Sequence, residues 1–384
     1  MRTILITGPG GSGRTTVAAA TALRAAGEGV PTLVVGADRT DTLGAALGAA
    51  TGPEPTRITP NLTAWRPDAA ARFREDLTAF QTRAANVLDL LGASRLDAEE
   101  LTPLPGAEEL SLLRAVRDAA LSERHELLVV DLPPTPRALD LLALPEELRR
   151  YLRRLLPPER QAARALRPVL GRLAGVPMPA DWLYETAARW DVELAAVEAV
   201  LGDRRTAVRL VAEPGPAGAD AVRTARLGLA LRGLPTETLV ANRVLPEAVP
   251  LHGLVAQQRK ALAEWTAALP VTPVAHLGHD PRGADDLAAL AVPGVNTGHP
   301  PVEWPVVDRT AEDGVLVWHV PLPGAIRDDL DLVRRGDEVV ITVGGFRRIV
   351  ALPSALRRCT VAGAALRDGE LRLRFAPDPR LWPR

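Results

Sequence analysis

The stretch from Thr3 to Thr16 constrains this chain more than any other part of its sequence. Apolar and β-branched residues run from Thr3 to Thr7, a glycine-rich turn follows, and small residues typical of a helix continue from Val17 to Ala26. This order predicts a strand, a phosphate-binding loop and a helix. Residues without a Cβ atom let several backbone N–H groups converge on phosphate oxygens, and the N-terminus of the helix faces the same anion. An ordinary strand-to-helix turn is the alternative interpretation.

The loop has the spacing G-x-x-x-x-G-[basic]-[ST], with Gly8, Gly13, Arg14 and Thr15 at the fixed positions. Arginine stands here where lysine is usual. Lysine is a compact point charge that reaches the β and γ phosphates, whereas arginine is a wider planar fork, so the replacement is not conservative. A coding bias toward arginine is the alternative explanation, because Lys260 is the only lysine in the chain. We therefore expect nucleotide to bind, and whether it is hydrolysed stays open.

Length, charge and cysteine content narrow the classes of function. A chain of 384 residues is long enough for two domains, or for one large domain with an appendage. Its net charge of −1 gives no general attraction to nucleic acid or to an anionic membrane, and we expect no nucleic-acid partner. Cys359 is the only cysteine, so one chain cannot form a disulfide or a cysteine cluster for a metal. With no export pattern and no long apolar run, we expect a cytoplasmic protein without stable membrane insertion.

Two further predicted strands lead to an aspartate. The apolar run from Val30 to Val35 is followed by Asp38, and the run from Leu127 to Val130 ends at Asp131. Ligands of doubly wound sheets bind at the carboxyl ends of parallel strands. Asp38 is therefore a candidate to orient an attacking water, with a helix N-cap as its alternative role. Asp131 has the form of a Walker B carboxylate, which holds magnesium directly or through water.

Helical periodicity dominates two segments, from about 61 to 120 and from about 145 to 200. In the second segment, four arginines share a basic amphipathic helix with leucines and a tyrosine. They are Arg149, Arg150, Arg153 and Arg154. Such a helix can meet a membrane surface or an apolar partner helix, and a solvated face over a core stripe is the alternative.

A further strand–helix–strand unit lies between residues 207 and 242 and closes with Asn242. An amide at this position has both a donor and an acceptor, which suits the edge of adenine. His276 and His279 have no acidic or cysteine partners at metal-ligand spacing, so we interpret them as surface or packing histidines.

The composition changes to proline, glycine, asparagine and threonine around residues 293–305, which predicts a linker. Short strands with tight turns follow, among them the strictly alternating run from Glu370 to Phe375. We therefore predict an α/β fold for residues 1–292, a P-loop NTPase with a mainly parallel doubly wound sheet and helical insertions. Residues 306–384 are predicted to form a C-terminal all-β sandwich.

With these parts in place, the chain resembles the ArsA-type ATPases, a family that includes the arsenite-pump ATPase and the cytosolic factor that targets tail-anchored membrane proteins. The family's loop G-K-G-G-x-G-K-T-T is matched from Gly8 to Thr16 at every position except the two lysines. Its segment D-T-A-P-T-G-H-T-L is similar to residues 131–139, and its V-N-[QR] motif is similar to residues 241–243. Its D-P-A-H-[SN]-L switch is matched only by Asp38 and Leu43. The C-terminal sandwich is similar to the small heat-shock-protein (α-crystallin-like) domain of some members.

The resemblance implies ATP and Mg²⁺ as cofactors and gives roles to individual residues. The loop would bind the nucleotide through Gly10, Gly11, Ser12, Gly13, Arg14, Thr15 and Thr16. Thr15 and Asp131 would hold magnesium, and Asn242 would contact adenine. Asp38 and Arg14 would be the catalytic residues.

Two departures from the family pattern bear on function. The family's first loop lysine reaches across a dimer to the partner's nucleotide, and Pro9 cannot do this. The metalloid-binding cysteines and the zinc-binding C-x-x-C are absent, so arsenite transport is not expected.

The leading hypothesis is a homodimer, or a heterodimer with an ArsA-like paralogue, that couples ATP to the binding of an apolar client such as a hydrophobic protein segment. The alternative is a degenerate, non-hydrolysing regulatory or scaffold subunit. A third hypothesis, a partition ATPase, requires a C-terminal membrane-binding helix, and a β-domain is predicted in that place.

Overall fold

An eight-stranded sheet organises the structure, a computed structural model that describes residues 1–90, 92, 94–156, 181–295 and 302–381. Its strands are β1 (Arg2–Thr7), β2 (Thr32–Gly36), β3 (Thr56–Thr59), β4 (Leu62–Trp65), β5 (Leu127–Asp131), β6 (Thr206–Ala212), β7 (Thr236–Val244) and β8 (Val271–Ala275). The strand order is β3-β4-β2-β5-β1-β6-β7-β8. All neighbouring pairs are parallel except β3 with β4.

Helices cover both faces of this sheet. The α-helices of the described residues are α1 (Arg14–Gly27), α2 (Thr42–Leu47), α3 (Ala69–Arg83), α4 (Ala85–Leu90), α5 (Ala107–Ser122), α6 (Arg137–Leu155), α7 (Asp181–Leu201), α8 (Pro216–Arg232), α9 (His252–Thr266), α10 (Gly283–Ala289) and α11 (Thr310–Asp313), the last of which belongs to the C-terminal part. Side chains of α1, α2 and α10 pack on one face, whereas those of α5, α6, α8 and α9 pack on the other. None of the described helices is long and apolar enough to cross a bilayer.

Strand β1 lies at the centre, between β5 and β6. Its side chains alternate between the two cores, since Ile4 and Ile6 face α1 and Leu5 faces the opposite layer. A strand buried on both sides must be apolar along its whole length, which explains the continuous run seen in the sequence. Ile6 is in register with Asp131 on one side and with Arg209 on the other. The loop after β1 therefore emerges beside the end of β5.

The C-terminal part folds as two antiparallel sheets. Its strands are β9 (Val306–Arg309), β10 (Val315–Pro321), β11 (Asp331–Arg335), β12 (Glu338–Val343), β13 (Phe346–Ala351), β14 (Cys359–Arg367) and β15 (Glu370–Pro377). One sheet has the order β14-β15-β10-β9 and the other β11-β12-β13. Along β15, Leu371, Leu373 and Phe375 are buried, as the alternating pattern predicts. The predicted α/β sheet with a C-terminal β-sandwich is thus confirmed.

The sandwich packs against helices of the large sheet. Gly228 on α8 lies at a close contact, because a Cβ atom there would lie 2.4 Å from a methyl group of Leu139 on α6 and 3.2 Å from the ring of Phe346 on β13. Arg348 on β13 donates to the carbonyl of Leu231 at 2.9 Å and pairs with Glu146 at 3.2 Å. Apolar packing and polar contacts therefore both join the two parts.

Three arginines anchor the start of the predicted linker to the large sheet. Arg209 on β6 donates to the carbonyls of residues 293 and 294 at 2.9 and 2.8 Å. Arg24 donates to the carbonyl of residue 292 at 2.6 Å, and Arg2 to that of residue 295 at 3.3 Å. Arg209 also forms a fully buried ion pair with Glu237 at 3.0 Å. Residues 292–295 are thus held by the sheet, and residues 296–301 of the predicted linker lie outside the described residues.

The structure corrects one sequence expectation and adds elements that the sequence did not indicate. The segment predicted as helical from about 61 begins instead with strand β4, because Leu62 and Ala64 are buried beside β2 and the helical pattern starts only at Ala69. Helix α9 was not predicted, and neither were strands β9 and β14. Within the predicted helical stretch from 145 to 200, residues 157–180 lie outside the described part of the chain. Arg149 of the predicted basic helix faces α7, where it pairs with Asp191 at 3.0 Å and also with Glu198.

Candidate functional site

The loop between β1 and α1 is shaped as a cradle of backbone groups. Ser12 closes it through its amide N–H and its hydroxyl, which both donate to the carbonyl of Pro9, at 3.3 and 2.9 Å. Gly13 has a φ of 85° at the start of α1, and no side chain caps the helix. The first N–H groups of α1 therefore point out of the helix without a side-chain partner, as an anion site requires.

Two glycines of the loop are required by close contacts. A Cβ atom on Gly8 would lie 1.9 Å from the carbonyl oxygen of Val211 on β6, and one on Gly13 would lie 2.3 Å from Nδ2 of Asn242. Gly10 and Gly11 have no atom within 4 Å of the same position, and both are exposed. The loop is thus tightly packed at its two ends and accessible at its middle.

Thr15 and Asp131 meet at the mouth of this loop. The Thr15 hydroxyl donates to Oδ2 of Asp131 at 2.6 Å. Asp131 is 5 % exposed, and its Oδ1 is buried without a hydrogen-bond partner in the described part of the chain. An alcohol and a carboxylate oxygen are ligands that Mg²⁺ prefers, and the unpartnered Oδ1 is a free ligand position. These residues therefore fit a magnesium ion.

Burial is the main cause of the raised pKa of Asp131. It raises the pKa of this carboxyl from 3.8 to about 6, while the hydrogen bond from Thr15 and the charge of Arg14 oppose the rise and the charge of Asp38 adds to it. A cation bound beside the carboxylate would favour its ionised form.

Arg14 extends away from the loop toward the end of β5. Its guanidinium donates to the carbonyl of Leu132. The segment from 132 to 136 is also tied to β1 and the loop, since the Thr7 hydroxyl donates to the carbonyl of Pro133 at 2.9 Å. The Thr135 amide donates to the carbonyl of Gly8 at 3.1 Å, and the Thr135–Pro136 peptide is cis. The segment predicted to follow a Walker B strand is thus in direct contact with the phosphate-binding loop.

Asp38 lies in the exposed turn after β2, where its carboxylate accepts a hydrogen bond from the Thr42 hydroxyl at 2.8 Å. The N-cap of α2 is Asp41, which accepts from the Gly44 amide at 2.9 Å and from the Thr51 amide at 2.8 Å. The alternative role considered for Asp38, a helix N-cap, therefore belongs to Asp41.

Asn242 supports the loop from the opposite side. Its Nδ2 donates to the carbonyl of Ser12 at 2.8 Å, and the side chain is buried. A cleft of about 320 Å³ opens beside it, lined by Gly13, Thr15 and Thr16 and by the turn of residues 275–282. One of the two N–H donors of the amide is thus occupied by the loop, and the cleft has the size of a small-molecule site.

The structure brings together all predicted site residues at the carboxyl ends of β1, β2, β5 and β7, with Asp38 at the rim. It adds Arg243, which donates to the carbonyl of Gly11 at 3.0 Å and pairs with Glu213. Its position as the third residue of the V-N-[QR] motif is a sequence signal that was available. His276 and His279 contact Gly278 and Asp286, and the described residues contain no group of three metal-ligating side chains.

Two family models and several known proteins match this chain. A family model described as "Anion-transporting ATPase" matches residues 1–267, and one described as "HSP20-like domain found in ArsA" matches residues 313–375. Uncharacterized protein SCO2128 of Streptomyces coelicolor is 75 % identical over 388 residues, which cover 100 % of both chains. Protein Rv2184c of Mycobacterium tuberculosis is 32 % identical over 100 % of this chain and 97 % of its own. A protein of Aquifex aeolicus named arsenical pump-driving ATPase 1 is 27 % identical over 97 % of this chain and 99 % of its own.

Proposed function

Because the chain belongs to the anion-transporting ATPase family, we propose that it binds ATP with Mg²⁺ at the loop of residues 8–16 and hydrolyses it slowly. Its nucleotide state would control an apolar binding surface on its helices. The chain would act as a dimer, either of two copies or with an ArsA-like paralogue.

The contact between Thr15 and Asp131 carries this proposal. A hydroxyl and a buried carboxylate 2.6 Å apart, with one carboxylate oxygen left unpartnered, form an incomplete oxygen ligand set at the edge of a phosphate cradle. Thr15 and Asp131 would hold the ion, which when bound neutralises charge on the β and γ phosphates. The open middle of the loop and the N-terminus of α1 would receive the phosphates themselves.

Helix α3 supplies apolar side chains for a client surface. Only Gln81 of this helix is buried, although Phe73, Leu77 and Phe80 recur at helical spacing. Phe80 is 43 % exposed, and on the packed helices α5 and α7 Leu121 and Val192 are each 69 % exposed. Exposed apolar groups on adjoining helices suit a hydrophobic protein segment.

Two observations favour a second candidate, a nucleotide-binding subunit that does not hydrolyse ATP. The guanidinium of Arg14 is hydrogen-bonded to the carbonyl of Leu132, a neutral oxygen. Asp38, the residue expected to orient water, is exposed and already accepts from Thr42. In this case the chain would signal its nucleotide state to a partner that supplies the turnover.

Measurement of Mg-ATP binding and of steady-state hydrolysis tests both candidates. Thr15→Ala should weaken Mg-ATP binding at least tenfold and remove its dependence on Mg²⁺, because one magnesium ligand is lost. The matched control is Thr82→Ala, an exposed helical threonine that bonds only to its own helix. Hydrolysis that is lost in Asp38→Asn would assign turnover to this chain, and binding without hydrolysis would select the second candidate. Equal Mg-ATP binding by the wild-type protein and Thr15→Ala would overturn the proposed site.

The client surface has a separate test. A fluorescent apolar helical peptide of about 20 residues should bind more tightly with ATP than with ADP, and the double variant Phe80→Ser/Leu121→Ser should reduce this binding. Leu254→Ser is the control, because Leu254 is 53 % exposed on α9, away from this surface. Light scattering with each nucleotide would give the oligomeric state. Equal peptide binding by the double variant and the wild-type protein would exclude this surface.

A further inference from the structure

A basic cavity lies between the helices of the large sheet and the sandwich. Its lining residues are distant in sequence from the phosphate loop. It has a volume of about 540 Å³ and is bounded by α6, the end of α8 and strands β12 and β13. An adjoining space of about 400 Å³ shares Glu146, Arg150, Arg232 and Arg348 with it. Together these spaces, here called the basic cavity, have the size of a small-molecule site.

Arginine dominates the charge of this cavity. Seven arginines and four glutamates line it, an excess of three positive charges in a protein whose net charge is −1. Three of these arginines have carboxylate partners: Arg154 pairs with Glu338 at 2.6 Å, Arg348 with Glu146 at 3.2 Å and Arg153 with Asp191 at 3.5 Å. The excess therefore resides in the other four.

Three of the four arginines have no polar partner in the described part of the chain. Among the described residues, the side chains of Arg150, Arg335 and Arg347 make neither a hydrogen bond nor an ion pair, although Arg150 lies over the ring of Tyr151. They come from three different elements, α6, β11 and β13, that meet at this cavity. Like charges gathered without counter-charges repel each other, so this arrangement is stable only where solvent or an anion screens it.

Arg232 is the fourth, and most of its side chain is covered. Its side chain is 9 % exposed at the end of α8, and its nearest carboxylate is Glu147 at 3.7 Å. It makes no hydrogen bond to any described residue, so its N–H donors remain available to the cavity. An anion in the cavity would accept hydrogen bonds from this largely covered guanidinium, which has five N–H donors. Burial lowers the pKa of Arg232, and the charge of Arg348 adds to this, while the nearby carboxylates of Glu147, Glu146 and Asp140 oppose it.

We propose that the basic cavity binds a small anion with two or more phosphate groups. Planar guanidinium forks match phosphate oxygens in pairs, and three unpaired arginines together with Arg232, which has only the long contact with Glu147, exceed what one phosphate group needs. The ligand would touch Arg232 at the base and Arg150, Arg335 and Arg347 at the opening. This site is separate from the nucleotide site, since it contains no residue of the loop 8–16.

Titration with inorganic triphosphate, followed by calorimetry, tests this site. The wild-type protein should bind triphosphate saturably and at least tenfold more tightly than orthophosphate, with affinity that falls as salt is raised. Arg150→Gln/Arg347→Gln should weaken binding at least tenfold without changing the thermal unfolding midpoint, because both side chains are partly or fully exposed. Arg232→Gln should abolish it. The matched control is Arg367→Gln, an exposed arginine of β14 without an ion pair among the described residues.

Triphosphate can also enter the phosphate loop, and a loop variant separates the two sites. Thr15→Ala should retain the triphosphate binding that the cavity variants lose. Loss of this binding in Thr15→Ala with retention in Arg150→Gln/Arg347→Gln would place all triphosphate in the loop and overturn the proposal. Equal effects of Arg367→Gln and of the cavity variants would also overturn it, since the binding would then depend on overall charge.

Discussion

Replacing Asp131 by asparagine should make the metal-free protein more stable at neutral and higher pH. The folded protein raises the pKa of this carboxyl to about 6, while the unfolded chain has the ordinary value of 3.8. Above pH 6 the folded state therefore holds a buried negative charge that the unfolded state keeps in water. Asparagine removes this charge and still offers an oxygen to the Thr15 hydroxyl.

The size of the effect follows from the two pKa values. A raised pKa means that the folded state binds the proton more tightly, so unfolding releases a proton between pH 3.8 and 6 and stability falls as pH rises through this window. With about 1.4 kcal/mol per pKa unit, the penalty at pH 8 is about 3 kcal/mol. The amide of asparagine leaves N–H donors unsatisfied at a cost of about 1 kcal/mol. The variant should thus be more stable by about 2 kcal/mol at pH 8, and by about zero at pH 4.5.

Urea unfolding in chelator-treated buffer at several pH values would measure this difference. The other titrating groups contribute equally to the stability of both proteins, so their contributions cancel in the difference. Asp41 is one of them: burial raises its pKa, but hydrogen bonds from Thr51 and Gly44 outweigh this and hold the pKa low. Asp337→Asn, in an exposed turn, should unfold like the wild-type protein at each pH. A stability difference that does not grow from pH 4.5 to pH 8 would refute the reasoning. Added Mg²⁺ should stabilise the wild-type protein and not Asp131→Asn.

Three further predictions concern packing and are checked by urea unfolding. Glu237→Gln leaves the fully buried Arg209 without its charged partner and should lower the free energy of unfolding by about 3 kcal/mol. A decrease of under about 1 kcal/mol would mean that the carbonyls of residues 293 and 294 are enough to stabilise the buried guanidinium. Gly8→Ala brings a Cβ atom against a backbone carbonyl and should cost more than about 2 kcal/mol, whereas Gly10→Ala has open space and should cost little. Gly228→Ala should cost about 1–3 kcal/mol and expose the sandwich to protease, while Gly253→Ala, also in a helix but with open space, should be neutral or stabilising. Equal behaviour of the two alanine variants in either pair would contradict the contact distances.

The large sheet was predictable because its central strands are buried on both faces. Their apolar runs stand out against the charged helices around them, and β1, β5 and β6 were located within one or two residues. Helix α9 has a weaker signal, since Gln258 shares its buried face with Val255, Ala261 and Trp265. Each strand of the β3–β4 hairpin has four residues. This length is too short for the alternating pattern of a strand to be distinguished from the helical pattern that follows.

The candidate site was predictable where it depends on side chains at strand ends. Thr15 and Asp131 belong to adjacent parallel strand–loop units, so their proximity follows from the strand order. Contacts with backbone carbonyls leave no trace in the sequence, which is why the bond from Arg14 to Leu132 was not foreseen. A similar reason explains why the buried ion pair of Arg209 with Glu237 was not predicted. A charged residue inside an apolar strand does not show in the sequence which residue will be its partner.

Arg14 connects the phosphate loop to the helix that lines the basic cavity. Its guanidinium donates to Leu132, the first residue of the segment that joins β5 to α6. Phosphate oxygens in the loop would compete with this carbonyl, because a guanidinium bonds more strongly to an anion than to a neutral oxygen. Nucleotide binding should therefore change how the start of α6 is held, and α6 carries Arg150 into the cavity. Linkage is reciprocal, so a polyanion bound in the cavity should change the affinity for ATP by the same factor.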